Sequence, residues 1–129
     1  MKYRYITLGL VAAAAATVIV GCGQHPGGAT KDAYGKAIPA DMVVTTAREI
    51  LANPTAWEGK DVLVAGRITS ECPSGGWIWV KDESGDIYVN MHPTNVFIPQ
   101  HVGGAVRAMG KIVLESGQPR VVGYGLALK

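Results

Sequence analysis

From Asp61 to Met91 apolar and polar side chains alternate with a period of two in three successive runs. Val62, Val64 and Ile68 alternate with Leu63, Ala65 and Arg67. Ile78 and Val80 alternate with Trp77, Trp79 and Lys81, and Ile87, Val89 and Met91 with Tyr88 and Asn90. Successive side chains of a strand point to opposite faces, so the pattern predicts three half-buried strands, at about residues 61–69, 77–81 and 86–91. Residues 70–76 are loop-forming by composition, and Asp82, Glu83, Ser84 and Gly85 form a turn, which makes the three runs an antiparallel meander. A four-residue turn sets Lys81 opposite Asp86, Val80 opposite Ile87, Trp79 opposite Tyr88 and Ile78 opposite Val89. Apolar then meets apolar on the inner face and aromatic meets aromatic on the outer one.

Two more strands are expected, over residues 105–115 with a bend at Gly110, and over 120–128, where Gly123 and Gly125 alternate with large residues. Ser116, Gly117, Gln118 and Pro119 read as the turn between them. Residues 92–104 contain Pro93, Pro99, Gly103 and Gly104 and read as an irregular connector anchored by Val96, Phe97, Ile98 and Val102. Upstream, Thr46 with Glu49 three residues on is a capping box, so a short helix opens there and carries Ile50 and Leu51. Asn53-Pro54 stops it, and Pro54 to Trp57 starts a second short turn. Val43, Ile50, Leu51 and Trp57 are placed to cover an end or an edge of the sheet.

The extreme N-terminus carries a different message. Met1-Lys2-Tyr3-Arg4 is a short basic stretch, followed by an uncharged run from Ile6 to Val20 that is too short and too rich in Ala for a membrane span. It closes in Ile19-Val20-Gly21-Cys22, which resembles the lipobox of bacterial lipoproteins. That resemblance implies cleavage before Cys22, acylation of its sulfur and anchoring by fatty chains. The chain then divides into a signal peptide (1–21), a lipidated Cys with a Gly- and Pro-rich tether (22–42) and a folded domain (43–129). An uncleaved anchor helix is the alternative, and both place the domain at the extracytoplasmic side of a bacterial membrane, in the cell envelope. His25, within the tether, reads as a solvated side chain.

Charge narrows the partners. Of the 12 Lys and Arg, Lys2 and Arg4 lie in the leader, so the remaining 10 meet 10 Asp and Glu. Such a domain has no electrostatic footprint for nucleic acid.

Five strands with a long first and fourth, a connector after the third and a helix in front resemble the OB-fold, a small, mainly β, partly open barrel. The runs from Ala47 to Pro54 and from Trp57 to Ile68, with Glu71-Cys72 and then Gly75-Gly76-Trp77-Ile78-Trp79-Val80-Lys81-Asp82, resemble uncharacterised bacterial OB-fold lipoproteins. In that family a second Cys often stands directly before the Trp, where this chain has Gly76. The resemblance implies a fold and no established activity.

Three sets of residues are candidates for function. Trp79 and Tyr88, with Arg67 on the same side by parity, form an outward stripe of the kind that stacks bases or sugars on OB-folds; covering by the helix or tether is the structural alternative. Cys72 is the one thiol left once Cys22 is acylated, so no intrachain disulfide is expected, and Cys72 with His92, His101 or Met91 is a weak candidate for metal or redox chemistry. Without a C-x-x-C or H-x-x-x-H spacing, no cofactor is expected. Asp82 and Glu83 read as solvated turn charges rather than an acid–base pair, and no nucleophile elbow, Walker loop or H-E-x-x-H occurs. The expectation is a membrane-anchored, non-catalytic binding module for a protein, peptide or glycan, with a metal- or redox-linked accessory protein centred on Cys72 as the alternative.

Overall fold

The structure is a computed structural model that describes residues 32–129. The expected leader, the expected lipidation site Cys22, and His25 lie outside the described residues. The elements in chain order are β1 (Ala33–Gly35), α1 (Ala47–Ala52), α2 (Pro54–Trp57), β2 (Asp61–Glu71), β3 (Trp77–Lys81), β4 (Asp86–Asn90), a 3₁₀ turn (His92–Thr94), β5 (Ala105–Glu115) and β6 (Gln118–Leu128).

Strands β2 to β6 close into a five-stranded barrel. β2 pairs with β3 and with β5, β3 with β4, and β5 with β6, all antiparallel, while β4 and β6 meet in parallel and seal the wall. This is the strand pairing of an OB-fold. β3 and β4 adopt the register that the meander predicts, Lys81 to Asp86 through Ile78 to Val89. The interior is filled by the inward set, including Val62, Val64, Ile68, Ile78, Val80, Ile87, Val89, Ile112, Val121 and Leu126. Burying each such side chain contributes about 1.5–3 kcal/mol. α1 plugs one end. Thr46 caps it with a complete capping box, and Ile50 is driven fully into the core. Of the other residues expected to cover the sheet, Trp57 packs half-buried against the core, but Val43 and Leu51 remain exposed.

Three expectations are corrected. The turn before the last strand has two residues, not four. Ser116 and Gly117 both take positive φ (51° and 77°), the combination of a type I′ hairpin turn, so the ladder resumes at once with Glu115 opposite Gln118. The tether does not run to residue 42 as free chain. Ala33–Gly35 forms β1 on β6, with Tyr34 packed against the core, so the folded part begins at least ten residues before Val43. The segment after β1 then crosses the outside of the barrel. Leu63 and Met109 point outward by parity, are paired across β2 and β5, and yet are buried. Thr45 donates its N–H to the Leu63 carbonyl at 2.8 Å, Val44 bridges to Leu63, and the Met109 Cε and the Lys36 carbonyl both lie against Gly125. A Cβ at Gly125 would stand 2.2 Å from that carbonyl, so only glycine lets the strap pass.

The third concerns Asp82, expected to be a solvated turn charge. Its Oδ2 accepts the Ala47 N–H at 2.8 Å, and its Oδ1 accepts from the Ser84 hydroxyl and the N–H groups of Ser84 and Gly85. Ser84 Oγ takes the Arg48 N–H at 3.0 Å. The β3–β4 turn therefore caps α1 from 35 residues away. Burial by itself raises the Asp82 carboxyl, but the Ser84 hydroxyl and the N–H groups of Ala47, Ser84 and Gly85 together hold it below the usual carboxylate range.

Candidate functional site

The outward side chains of β3 and β4 build an aromatic platform. Tyr88 sits at its centre, with the Trp79 ring 5.3 Å away edge-on and the Trp77 ring 5.8 Å away, tilted by 34°. These spacings are those of favourable aromatic pairs, so each ring fixes the next. The strap crosses the outside over Leu63 and Met109, not over these rings, and Trp79 remains 39% exposed.

The cation beside the platform is Arg120 of β6. Its guanidinium carbon lies 4.5 Å over the centroid of Tyr88, and its Nε lies 2.9 Å from Glu115 Oε2 across the β5–β6 hairpin. That Nε is shut off from solvent and its approach to Glu115 is a charge contact rather than an aligned hydrogen bond. Burial raises the Tyr88 phenol above its ordinary value; Arg120 draws it back, and the charges of Glu115 and Cys72 add to the rise. The phenol therefore stays protonated at neutral pH.

Arg67 keeps the outward face that parity gives it, opposite Lys81, but its guanidinium is bound to the connector. A bulge between Ile68 and Ser70 shifts the β2–β3 register, so that Ser70 faces Trp79, and the Arg67 Nη1 donates to the Gly103 carbonyl at 2.9 Å. Arg67 thereby ties the connector to β2, together with Glu71, whose carboxylate accepts the N–H groups of His101 and Val102.

Trp79, Tyr88 and Arg120 border a cleft of about 120 Å³ whose remaining walls are Leu51, Asp86, Ile87, Gln118 and Pro119. Four elements meet there: α1, β3, β4 and β6. Larger hollows of about 440–490 Å³ flank Ala65 on another side of the barrel, but they are open, floored by Ala65, Gly66, Ala105 and Ala127, and have no aromatic ring to stack on. Those hollows carry charged walls, among them Arg67, Lys81, Glu83, Arg107 and Lys129, whereas the smaller cleft is the one that offers aromatic rings.

Cys72 lies in the β2–β3 loop, half-buried, with Sγ 2.9 Å from Ser74 Oγ. The Ser74 hydroxyl and N–H lower its thiol below the ordinary cysteine value, burial opposes them, and the N–H groups of Gly76 and Gly75 add to the lowering. The histidines do not join it. The His92 ring packs against Phe97 and over Gly76, and the His101 ring bonds the Lys129 carbonyl at 2.7 Å. Met91 is fully buried in the core. Among the described residues no group of three or more His, Cys, Asp or Glu is gathered to hold a metal ion.

No protein-family model matches the chain, and no curated protein does. Among solved structures the barrel is similar to the hypothetical protein ygiW from E. coli, with a TM-score of 0.53 at 18% identity, over 74% of this chain and 99% of that one. At that identity the likeness concerns the fold alone, a mainly β, closed five-stranded barrel with two short helices.

Proposed function

We propose that the protein is a membrane-anchored lipoprotein of the bacterial cell envelope whose barrel is a non-catalytic binding module. The anchor rests on the lipobox-like Ile19-Val20-Gly21-Cys22. The ligand face is the platform of Trp79, Tyr88 and Trp77 with Arg120. One observation carries this reading: a rigid aromatic cluster, fixed by ring packing and by a guanidinium clamped to Glu115, leaves Trp79 open to solvent. A fold this small buries rings when it can, and a preformed exposed ring lowers the ordering cost of binding. Arg120 takes the role first assigned to Arg67.

Two experiments test the two halves. Cys22→Ala should release the protein from the membrane fraction and remove the diacylglyceryl mass from the mature N-terminus; retention in the membrane would overturn the anchor. A photo-crosslinking phenylalanine analogue at Trp79 should yield discrete adducts in intact cells, while the same probe at Val43, exposed on the strap ahead of α1, should not. Equal labelling at both positions, or none at Trp79, would overturn the binding face.

A further inference from the structure

We infer that the ligand of the Trp79 cleft is an uncharged glycan, with one pyranose ring stacked on Trp79 and its hydroxyls read by Asp86, Gln118 and Arg120. The inference rests on the binding-module reading and narrows it to one class of ligand.

Three observations select that class. The first is charge. Lys81 and Arg120 stand at the rim against Asp86 and Glu115, so the ionised groups around the cleft cancel. An anionic or a cationic chain gains nothing by approaching such a rim, whereas a neutral one pays no desolvation of its own charge. The second is unspent hydrogen-bonding capacity. Among the described residues the carboxylate of Asp86 makes no hydrogen bond, although Lys81 faces it in register, and the amide of Gln118 makes none either. One is a pure acceptor and the other both donates and accepts, the mixture that vicinal hydroxyls need. The terminal nitrogens of Arg120 are likewise uncommitted, since only Nε meets Glu115. The third is size. A cleft of about 120 Å³ holds about four waters' worth of liquid, which suits the edge of one sugar ring. A protein partner needs about 800 Å² of complementary surface on each side, and Trp79 and Leu51 are the large exposed apolar side chains at this cleft.

The geometry of the contact follows. A pyranose presents polarised C–H groups on one face, and these sit on the electron-rich face of an indole. The ring lies across the exposed part of Trp79, whose indole is held in place by Tyr88, 5.3 Å away with the ring planes inclined by 64°. Asp86 begins β4, opposite the end of β3, and Gln118 begins β6, so both polar groups are held on strands rather than on loops.

The test uses the full-length chain in a sugar-free detergent, titrated with neutral hexose and N-acetylhexosamine oligosaccharides, with polygalacturonate and chitosan oligomers as anionic and cationic counterparts. Neutral chains should change tryptophan fluorescence saturably and with little dependence on salt. Trp79→Ala should weaken that binding about tenfold or more. Asp86→Asn, isosteric and on a strand rim, should weaken it with circular dichroism unchanged. Absence of binding by every neutral chain, tighter binding of either charged polymer, or undiminished binding by Trp79→Ala would each overturn the inference. Crosslinks from position 79 separate the two levels: adducts removed by glycosidases support the glycan, and protease-sensitive adducts overturn the glycan while leaving the binding face standing.

Discussion

Asp82 shows how much one side chain can carry in a barrel of this size. Its carboxylate closes its own turn and caps α1, so Asp82→Ala should cost about 1–2 kcal/mol of stability. The carboxyl is lowered in the folded protein, so it contributes stability above the unfolded carboxyl's range and loses that contribution as pH falls through the folded value. Urea titrations of the variant and the parent should therefore differ most at neutral pH and converge as the pH falls through the lowered folded-state value. Cys72 offers a second test at this scale. Ser74 is the largest cause of its lowered thiol, so Ser74→Ala should move the pH dependence of alkylation by iodoacetamide to higher pH. An unchanged profile would mean that the backbone N–H groups of Ser74, Gly76 and Gly75 suffice. The sequence revealed Trp79 and Tyr88 because parity is local. It did not reveal Asp82's second role, because nothing in a turn written Asp-Glu-Ser-Gly says that a helix from 35 residues upstream will land on it.

The elements divide along the same line. The meander was legible down to its register because short turns leave no freedom: once residues 82–85 form the turn, every pair in β3 and β4 follows. Arg120 was not legible. It reaches Tyr88 only because β4 and β6 run side by side in parallel, with Val89 beside Val121 and Asn90 beside Val122, so that residues 88 and 120 become neighbours. That pairing joins segments some 30 residues apart and leaves no trace in local alternation. The bulge after Ile68 is also silent in the pattern, and it is what sets Ser70 opposite Trp79. The strap is a further case: Leu63 and Met109 look like outward-facing liabilities until residues 36–45 are laid over them. Gly125→Val should displace the strap by overpacking and cost about 1–3 kcal/mol, with raised amide exchange at residues 125–127 of β6 and at 33–35. Exchange confined to other strands would sink that account.

At the scale of the whole molecule the barrel is closed by one short parallel contact and one long antiparallel hairpin. β5 and β6 share ten paired positions, whereas β4 and β6 share two, so the wall should open first between β4 and β6. Native-state hydrogen exchange should find its slowest amides on β5 and β6 within residues 106–114 and 120–126, and its fastest barrel amides at residues 88–90. A closed wall also leaves β6 with little free backbone. Between residues 121 and 127 its outer side is taken in turn by β4, by the Thr94 hydroxyl on Gly123, by the Lys36 N–H on Tyr124, and by β1.

That last arrangement has a mechanical consequence. Any pull on the chain ahead of Asp32 is transmitted to the barrel through the three residue pairs of β1 and the bond from Leu128 to the Asp32 carbonyl. In a single-molecule stretching experiment the strand should peel off as a distinct low-force event, with the barrel intact behind it. Peeling would bare the β6 rim to any neighbouring copy, so the same joint sets how much load the folded chain bears before it becomes sticky.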